Sequence, residues 1–501
     1  MSNDISVESR DPGLRANVLT GLDTVVMAIA GSAPAYSLAA TTVALSATAG
    51  LIGPAALLWC AIPMLGIAWA FNYLGRIDVN AGASYSWVGR ALHPSLGFLA
   101  GWSVVASATI FMVIGSLPAG QYTLSLFSES ASQNTTLCIV VGALWFLAMA
   151  GLVTLGARIT AHAQWIMTGI ELVILLVFGI AALIHSHHVT TFSWSWIWGW
   201  GHFGGSKGFA AAALIAAFYF WGWDVTANLS EETSNSKKNS GYGGLIGVVA
   251  VFALFEMVTI AVNLVESQQD IANSGTPVLV VLGNSVWSGT GGKILVVAVM
   301  LSTIATLETT LIQVTRSLFA MGRDKTIPAA FGKSHPRWQT PWVAILAVVV
   351  VSLAMFVAAN NITSVNHILT HGFNAIGLQI AFYYALAGLA VVVAYRKLLT
   401  KSVANFVFIG LWPLAGSIFM GYTFVENIAN LQPHDLEIGL GALAVGLIPM
   451  TWYWIKGSDY YRAGAVRLDA TAADEVDALY GESTLTAAGT GSSGGGLATD
   501  I

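Results

Sequence analysis

Charge is what this chain has least of. Asp, Glu, Lys and Arg together make up 9% of its 501 residues, against 56% hydrophobic residues. A soluble domain carries roughly a quarter charged residues, so a water-soluble fold is excluded and an all-α integral membrane protein is expected. Cysteine is nearly missing too. Cys60 and Cys138 fall in separate apolar stretches and read as small core residues rather than a disulfide. No His, Cys, Asp or Glu cluster has metal-ligand spacing. His367 and His371 stand one helical turn apart without a third partner, so neither a metal site nor an enzyme is expected. The first 17 residues are polar and carry no apolar core, so no cleavable signal peptide is expected.

What the chain has instead is long apolar runs. Hydropathy predicts twelve spans, near 18–48, 50–75, 94–126, 136–156, 161–185, 208–230, 241–264, 292–320, 341–360, 364–394, 402–428 and 436–456. Each can cross the ~30 Å hydrocarbon layer, and in lipid such spans must be helices. Placing both termini in the cytoplasm puts every one of the 20 Lys and Arg residues on that side except Lys207 and Lys293. That asymmetry follows the positive-inside rule and supports an even number of spans. Around the transmembrane domain, 18–456, the sequence predicts a cytoplasmic N-terminal tail, 1–17, and a cytoplasmic tail, 457–501. The latter is rich in Ala, Gly, Ser and Thr and is expected to be disordered. The tryptophan-dense stretch 192–200 suits an interfacial aromatic belt.

Two of the spans are interrupted. Gly31-Ser32-Ala33-Pro34-Ala35-Tyr36-Ser37 breaks the first, and Phe220-Trp221-Gly222-Trp223-Asp224 breaks the sixth. Pro34 has no amide hydrogen and clashes with the preceding turn, and Gly31 tolerates dihedrals that end a helix. Breaks five spans apart predict two five-span repeats of inverted topology, with discontinuous helices 1 and 6, a binding site at the breaks, and spans 11 and 12 outside the repeat. Gly31, Ser32, Ala33, Pro34, Ala35, Phe220, Trp221, Gly222 and Trp223 are therefore the candidate substrate-binding residues. The half-helix after the first break begins with free amides and the positive dipole end, which suit a carboxylate. Carbonyls left by both breaks suit an ammonium group.

Acids inside the spans are the candidate coupling groups, because each is costly in lipid unless it faces a cavity or a partner. Asp23, Glu171 and Asp224 are the candidates. Glu256 and Glu308 read as packing residues. Glu171 has no cation within a helical turn. It is either a proton carrier or a protonated acid bonded to a neighbouring helix. Asp224 reads equally as an N-cap or as a proton or cation site. Ser302, Thr303, Thr306, Thr309 and Thr310 in span 8 could help bind Na⁺ or could bond their own helix.

Three stretches carry a family resemblance. Phe220-Trp221-Gly222-Trp223-Asp224 is followed by Leu229-Ser230-Glu231-Glu232-Thr233. Met321-Gly322-Arg323-Asp324 leads through Ile327-Pro328 to His335-Pro336-Arg337-Trp338-Gln339-Thr340-Pro341. Ala81-Gly82-Ala83-Ser84-Tyr85 precedes Gly97-Phe98 and Gly101-Trp102. With these the chain resembles the amino acid–polyamine–organocation superfamily of secondary transporters. The resemblance implies a LeuT-like fold of twelve helices, alternating access, and substrate held by the unwound parts of helices 1 and 6. It also implies that Glu231, Glu232 and Arg323 are inner-gate or loop-anchoring groups. The chain departs from the family pattern in its Gly-Ser-Ala-Pro-Ala-Tyr break. By position, Glu171 stands where several proton-coupled relatives carry a lysine.

The expected function is import of an amino acid across the cell membrane with a proton, or Na⁺, as coupling ion and no cofactor. A diamine or polyamine permease and an amino acid exchanger are the alternatives. Span 3, from Leu96 to Phe127, contains no acid for the far end of a diamine, and its pocket-facing candidates are Ser103, Ser107 and Thr109. The expected partners are a small-molecule substrate and the lipid bilayer, with no nucleic acid.

Overall fold

A computed structural model of the chain describes residues 13–267, 271, 277–360, 365–462 and 468–470. Among the described residues it is helical, with an isolated bridge between Leu19 and Thr233 as its extended pairing. The helices, in chain order, are α1 (Gly21–Ser32), α2 (Pro34–Ala49), α3 (Gly53–Ile77), α4 (Ser84–Ala91), α5 (Pro94–Ser125), α6 (Glu129–Ser132), α7 (Thr135–Leu155), α8 (Ala157–His185), α9 (Ser195–Trp198), α10 (Ser206–Tyr219), α11 (Val225–Asn228) and α12 (Ser236–Val265). They continue with α13 (Val278–Val286), α14 (Gly291–Arg323), α15 (Trp342–Ala359), α16 (Val365–Ala394), α17 (Val403–Asn430), α18 (Pro433–Ile455) and α19 (Asp459–Arg462).

Ten helical stretches among the described residues are long and apolar enough to cross a membrane, the first being the stretch from Gly21 to Ile77 that contains α1, α2 and α3. This is a multi-pass membrane protein. Large apolar side chains such as Leu144, Ile166, Val173, Val177 and Ile184 face outward on α7 and α8. In water, exposed apolar area of that extent would be a liability. The helices α5 and α14 sit at the centre, whereas α18 lies at the rim with little of its surface covered.

Both interruptions read from the sequence are present. α1 ends where Ala33 turns left-handed, at φ 47° and ψ 63°, and α2 restarts at Pro34 in the first turn, where a missing amide hydrogen costs nothing. α10 stops at Tyr219, and the chain runs through Phe220, Trp221 and Gly222, the last at φ 94°, before the single turn of α11. The sequence did not signal the short helices α4, α6, α9 and α13, which lie between spans.

The tail expected from 457 onward lies mostly outside the described residues, and so do residues 1–12 of the N-terminal tail. Its described pieces are docked. The Tyr460 ring stacks on Tyr85 at 5.2 Å, the Leu468 amide donates to the Arg90 carbonyl, and the Ala470 amide donates to the Ala394 carbonyl. Cys60 and Cys138 are buried free thiols.

Candidate functional site

The two breaks meet backbone to backbone. A Cβ built on Gly222 would lie 2.1 Å from the Gly31 carbonyl oxygen, and one built on Gly31 would lie 2.1 Å from the Gly222 carbonyl oxygen. Glycine is required at both positions because main chain from the partner segment occupies the space, so the close approach at Gly222 is made by protein and not by ligand.

Beside this crossing is a small cavity of about 40 Å³ lined by Gly31, Ser32, Ala33, Tyr36, Ser37, Ala40, Thr41, Phe111, Phe218, Trp221, Thr306 and Phe373. Ala40, Thr41, Phe218 and Phe373 also line a vestibule of about 820 Å³, which includes Lys207, Asn374, Tyr422 and Glu426. The vestibule lies at the end of the molecule away from residues 13–20. The opposite end is cross-linked by hydrogen bonds and ion pairs, beside a surface pocket of about 590 Å³ lined by Arg90, Arg323, Asp324 and Tyr460. There the Val18 and Leu19 amides donate to the Glu232 carbonyl and the Ser234 amide donates to the Leu19 carbonyl. Glu231 takes a two-pronged ion pair from Arg323, at 2.8 and 3.0 Å, and the Ala81 amide at 2.9 Å. Glu232 is paired with Arg316 at 3.0 and 3.2 Å, both side chains being wholly buried.

Of the nine residues expected to bind substrate, Gly31, Ser32, Ala33 and Trp221 line the cavity. Pro34, Ala35, Phe220, Gly222 and Trp223 do not. Phe220 is buried against Phe252 and Phe255. Trp223 donates to the Phe220 carbonyl at 2.9 Å and packs on Phe71 and Tyr384. Sequence reasoning missed Tyr36, Phe111, Phe218 and Phe373. Tyr36 and Phe218 lie within a turn of the breaks and were within reach of that signal, while Phe111 and Phe373 are brought in by packing of distant spans. The hydroxyls proposed for span 3 bond their own helix: Ser103 to Leu99, Ser107 to Ser103, and Thr109 to Val105.

The acids have separate surroundings. Asp23 forms a capping box with Thr20 and accepts from the Trp165 indole at 2.8 Å, which is a helix-start role. Asp224 does not cap α11 with its side chain. It is buried and accepts from Gln313 at 2.8 Å and from Tyr383 and Tyr384 at 3.0 Å, tying the second break to α14 and α16. Tyr383 also receives the Trp221 indole N–H at 3.1 Å. Asp224→Asn replaces one of two acceptor oxygens with a donor, which then faces either Tyr384 or both Gln313 and Tyr383. It should lower thermal stability by about 2–3 kcal/mol, the scale of hydrogen bonds to a charged group, and Tyr384→Phe should cost less in the same melt.

Glu171, on α8, is fully buried. Its Oε1 accepts the Ala35 amide at 2.8 Å, the Ser302 hydroxyl also interacts with its carboxyl group, and its Oε2 makes no hydrogen bond among the described residues. Glu308 accepts from Gln164 through Oε2, and neither carboxylate oxygen of Glu256 has a hydrogen-bond partner among the described residues. The span 8 hydroxyls mostly serve packing. Thr306 donates to the Ala30 carbonyl at 2.8 Å, Ser302 accepts the Tyr36 amide at 3.2 Å, and Thr303 and Thr309 bond their own helix.

A broken pair of membrane helices at the floor of a vestibule suits a membrane transporter, and the family match makes the chain a permease and not an enzyme. Residues 19–446 match the amino acid permease family, and the chain belongs to it. Among curated proteins it is similar to a serine/threonine exchanger of Bacillus subtilis, 24% identical over 74% of this chain and 82% of the relative. A low-affinity putrescine importer of Escherichia coli is 23% identical over 89% and 96%. A methylthioribose transporter of Bacillus subtilis is 25% identical over 58% and 64%.

Proposed function

We propose that this chain is a secondary active transporter that imports an amino acid or a related amine across the cell membrane by alternating access, driven by a proton. The observation that carries the reading is the cavity at the crossing of the two breaks, joined to a vestibule at one end, with the ion pairs Glu231–Arg323 and Glu232–Arg316 at the other. With the lysine and arginine asymmetry of the sequence, the vestibule is the outer side, both termini are cytoplasmic, and the molecule is outward-facing. Counting α1–α2 and α3 as separate passages, and α10–α11 as another, makes twelve spans in two inverted sets of five plus α17 and α18. The relatives named for serine and threonine, putrescine and methylthioribose support a small-molecule substrate and leave its class open.

Glu171 is the proposed proton carrier. It is buried, it touches the first break through Ala35, and its Oε2 has room in its bonding for a proton. In proteoliposomes with an imposed pH gradient, wild type should accumulate labelled substrate. Glu171→Gln should lose accumulation and keep substrate-for-substrate exchange, because glutamine retains an acceptor for Ala35 and carries no exchangeable proton. Unchanged gradient-driven uptake by the variant would rule the assignment out. An exchanger would show no gradient-driven uptake in the wild type either.

A further inference from the structure

We propose that Glu171 is a carboxylate built into the place a substrate carboxylate would take, so that the cavity accepts amines and turns away free carboxylates. The proposal rests on the transport reading above and narrows its substrate class.

A helix start attracts an anion through its free amides and the positive end of its dipole. The start of α2 has none left to offer. Pro34 has no amide hydrogen. The Ala33 amide donates to the Ala30 carbonyl at 3.1 Å, and the Ser37 amide to the Ala33 carbonyl at 2.7 Å. The Ala35 amide donates to Glu171 Oε1 at 2.8 Å, and the Tyr36 amide to Ser302 Oγ at 3.2 Å. To reach the Ala35 amide, which lies between the lining residues Ala33 and Tyr36, an incoming carboxylate would have to displace Glu171 from its hydrogen bond there, whether Glu171 is ionised or carries its proton.

Among the described residues no Lys, Arg or His lines the cavity. Five aromatic rings do: Tyr36, Phe111, Phe218, Trp221 and Phe373. Ring faces attract cations, tryptophan most strongly. Gly31 and Ser32 bring the carbonyl and negative end of the α1 dipole to the cavity, where the Ala30 carbonyl already accepts from Ala33 and Thr306 and the Ser32 carbonyl from the Ser37 hydroxyl. Tyr36 contributes a buried hydroxyl that has no hydrogen-bond partner, which suits a neutral polar group on the ligand. The aromatic wall favours an ammonium, and the amides that would favour a carboxylate are already satisfied from within the chain. The volume, about 40 Å³ in this state, fits the small end of the series.

The test compares amino acids with the amines left when the carboxyl group is removed: alanine with ethylamine, serine with ethanolamine, ornithine with putrescine, phenylalanine with phenethylamine. The full-length protein is purified, and each compound is scored by thermal shift and by competition in proteoliposome uptake. In wild type the amine of at least one pair should bind, and its parent amino acid should bind at least about tenfold more weakly. Glu171→Ala should free the Ala35 amide and bring the two members of that pair to within about threefold of each other. Glu171→Gln, which keeps an acceptor for Ala35, should preserve their order. A wild type that binds the amino acid as well as its amine overturns the proposal even if the alanine variant fails to fold, and leaves the transport reading standing. A wild type that neither binds nor takes up any member of any pair overturns both.

Discussion

Gly222→Val should abolish substrate-induced stabilisation and transport. The added Cβ would meet the Gly31 carbonyl oxygen at 2.1 Å, and Gly222 holds φ at 94°, where side chains are strained. Overpacking of this kind costs about 1–3 kcal/mol, and the backbone conformation adds about 1–3 kcal/mol. The two helices cannot give way by a rotamer change, because main chain meets main chain. The crossing must open, and the cavity beside it changes shape. Gly31→Ala is the reciprocal case, with its Cβ 2.1 Å from the Gly222 carbonyl but no left-handed backbone to strain. It should abolish binding with the smaller loss of melting temperature. Retained substrate-dependent stabilisation in both variants would show that the breaks need not touch.

Arg316→Met should be the most damaging change at the cross-linked end. Arg316 and Glu232 are 0% and 1% exposed and joined at 3.0 Å. Removing one partner of a buried pair leaves the other charge uncompensated, at a cost of about 3–5 kcal/mol. Glu232→Gln should cost a similar amount. The double variant should recover a substantial part of the loss, because the energy lies in stranding a charge more than in the attraction. Arg323→Met should cost far less, since Arg323 and Glu231 are 38% and 21% exposed and solvent screens the pair. Melting curves of the four proteins in detergent decide the point, and additive losses in the double variant would mean that the two residues act independently.

Much of the architecture was legible because lipid permits few solutions. An apolar run long enough to cross must be helical, so predicted spans such as 136–156 and 292–320 coincide with Thr135–Leu155 and Gly291–Arg323 to within three residues. The breaks were legible because Pro34 and Gly222 have backbone requirements written in their own chemistry. What touches what was not. Asp224 could be recognised as a buried acid at a break, but Tyr383, Tyr384 and Gln313 reach it from spans 89 to 160 positions away. Trp223 and Phe220 share the aromatic character of Trp221 and sit beside it in sequence, yet only Trp221 turns into the cavity.

The sequence by itself determined a multi-pass helical membrane protein with two broken helices, because hydropathy, proline and glycine act locally. Only the tertiary structure decided which groups the breaks serve. The amide that the sequence offered to a substrate carboxylate is 136 positions from Glu171 in the chain and 2.8 Å from it in space. The packing of α8 against α2 turned an open anion site into a satisfied one, and no local pattern encodes that distance.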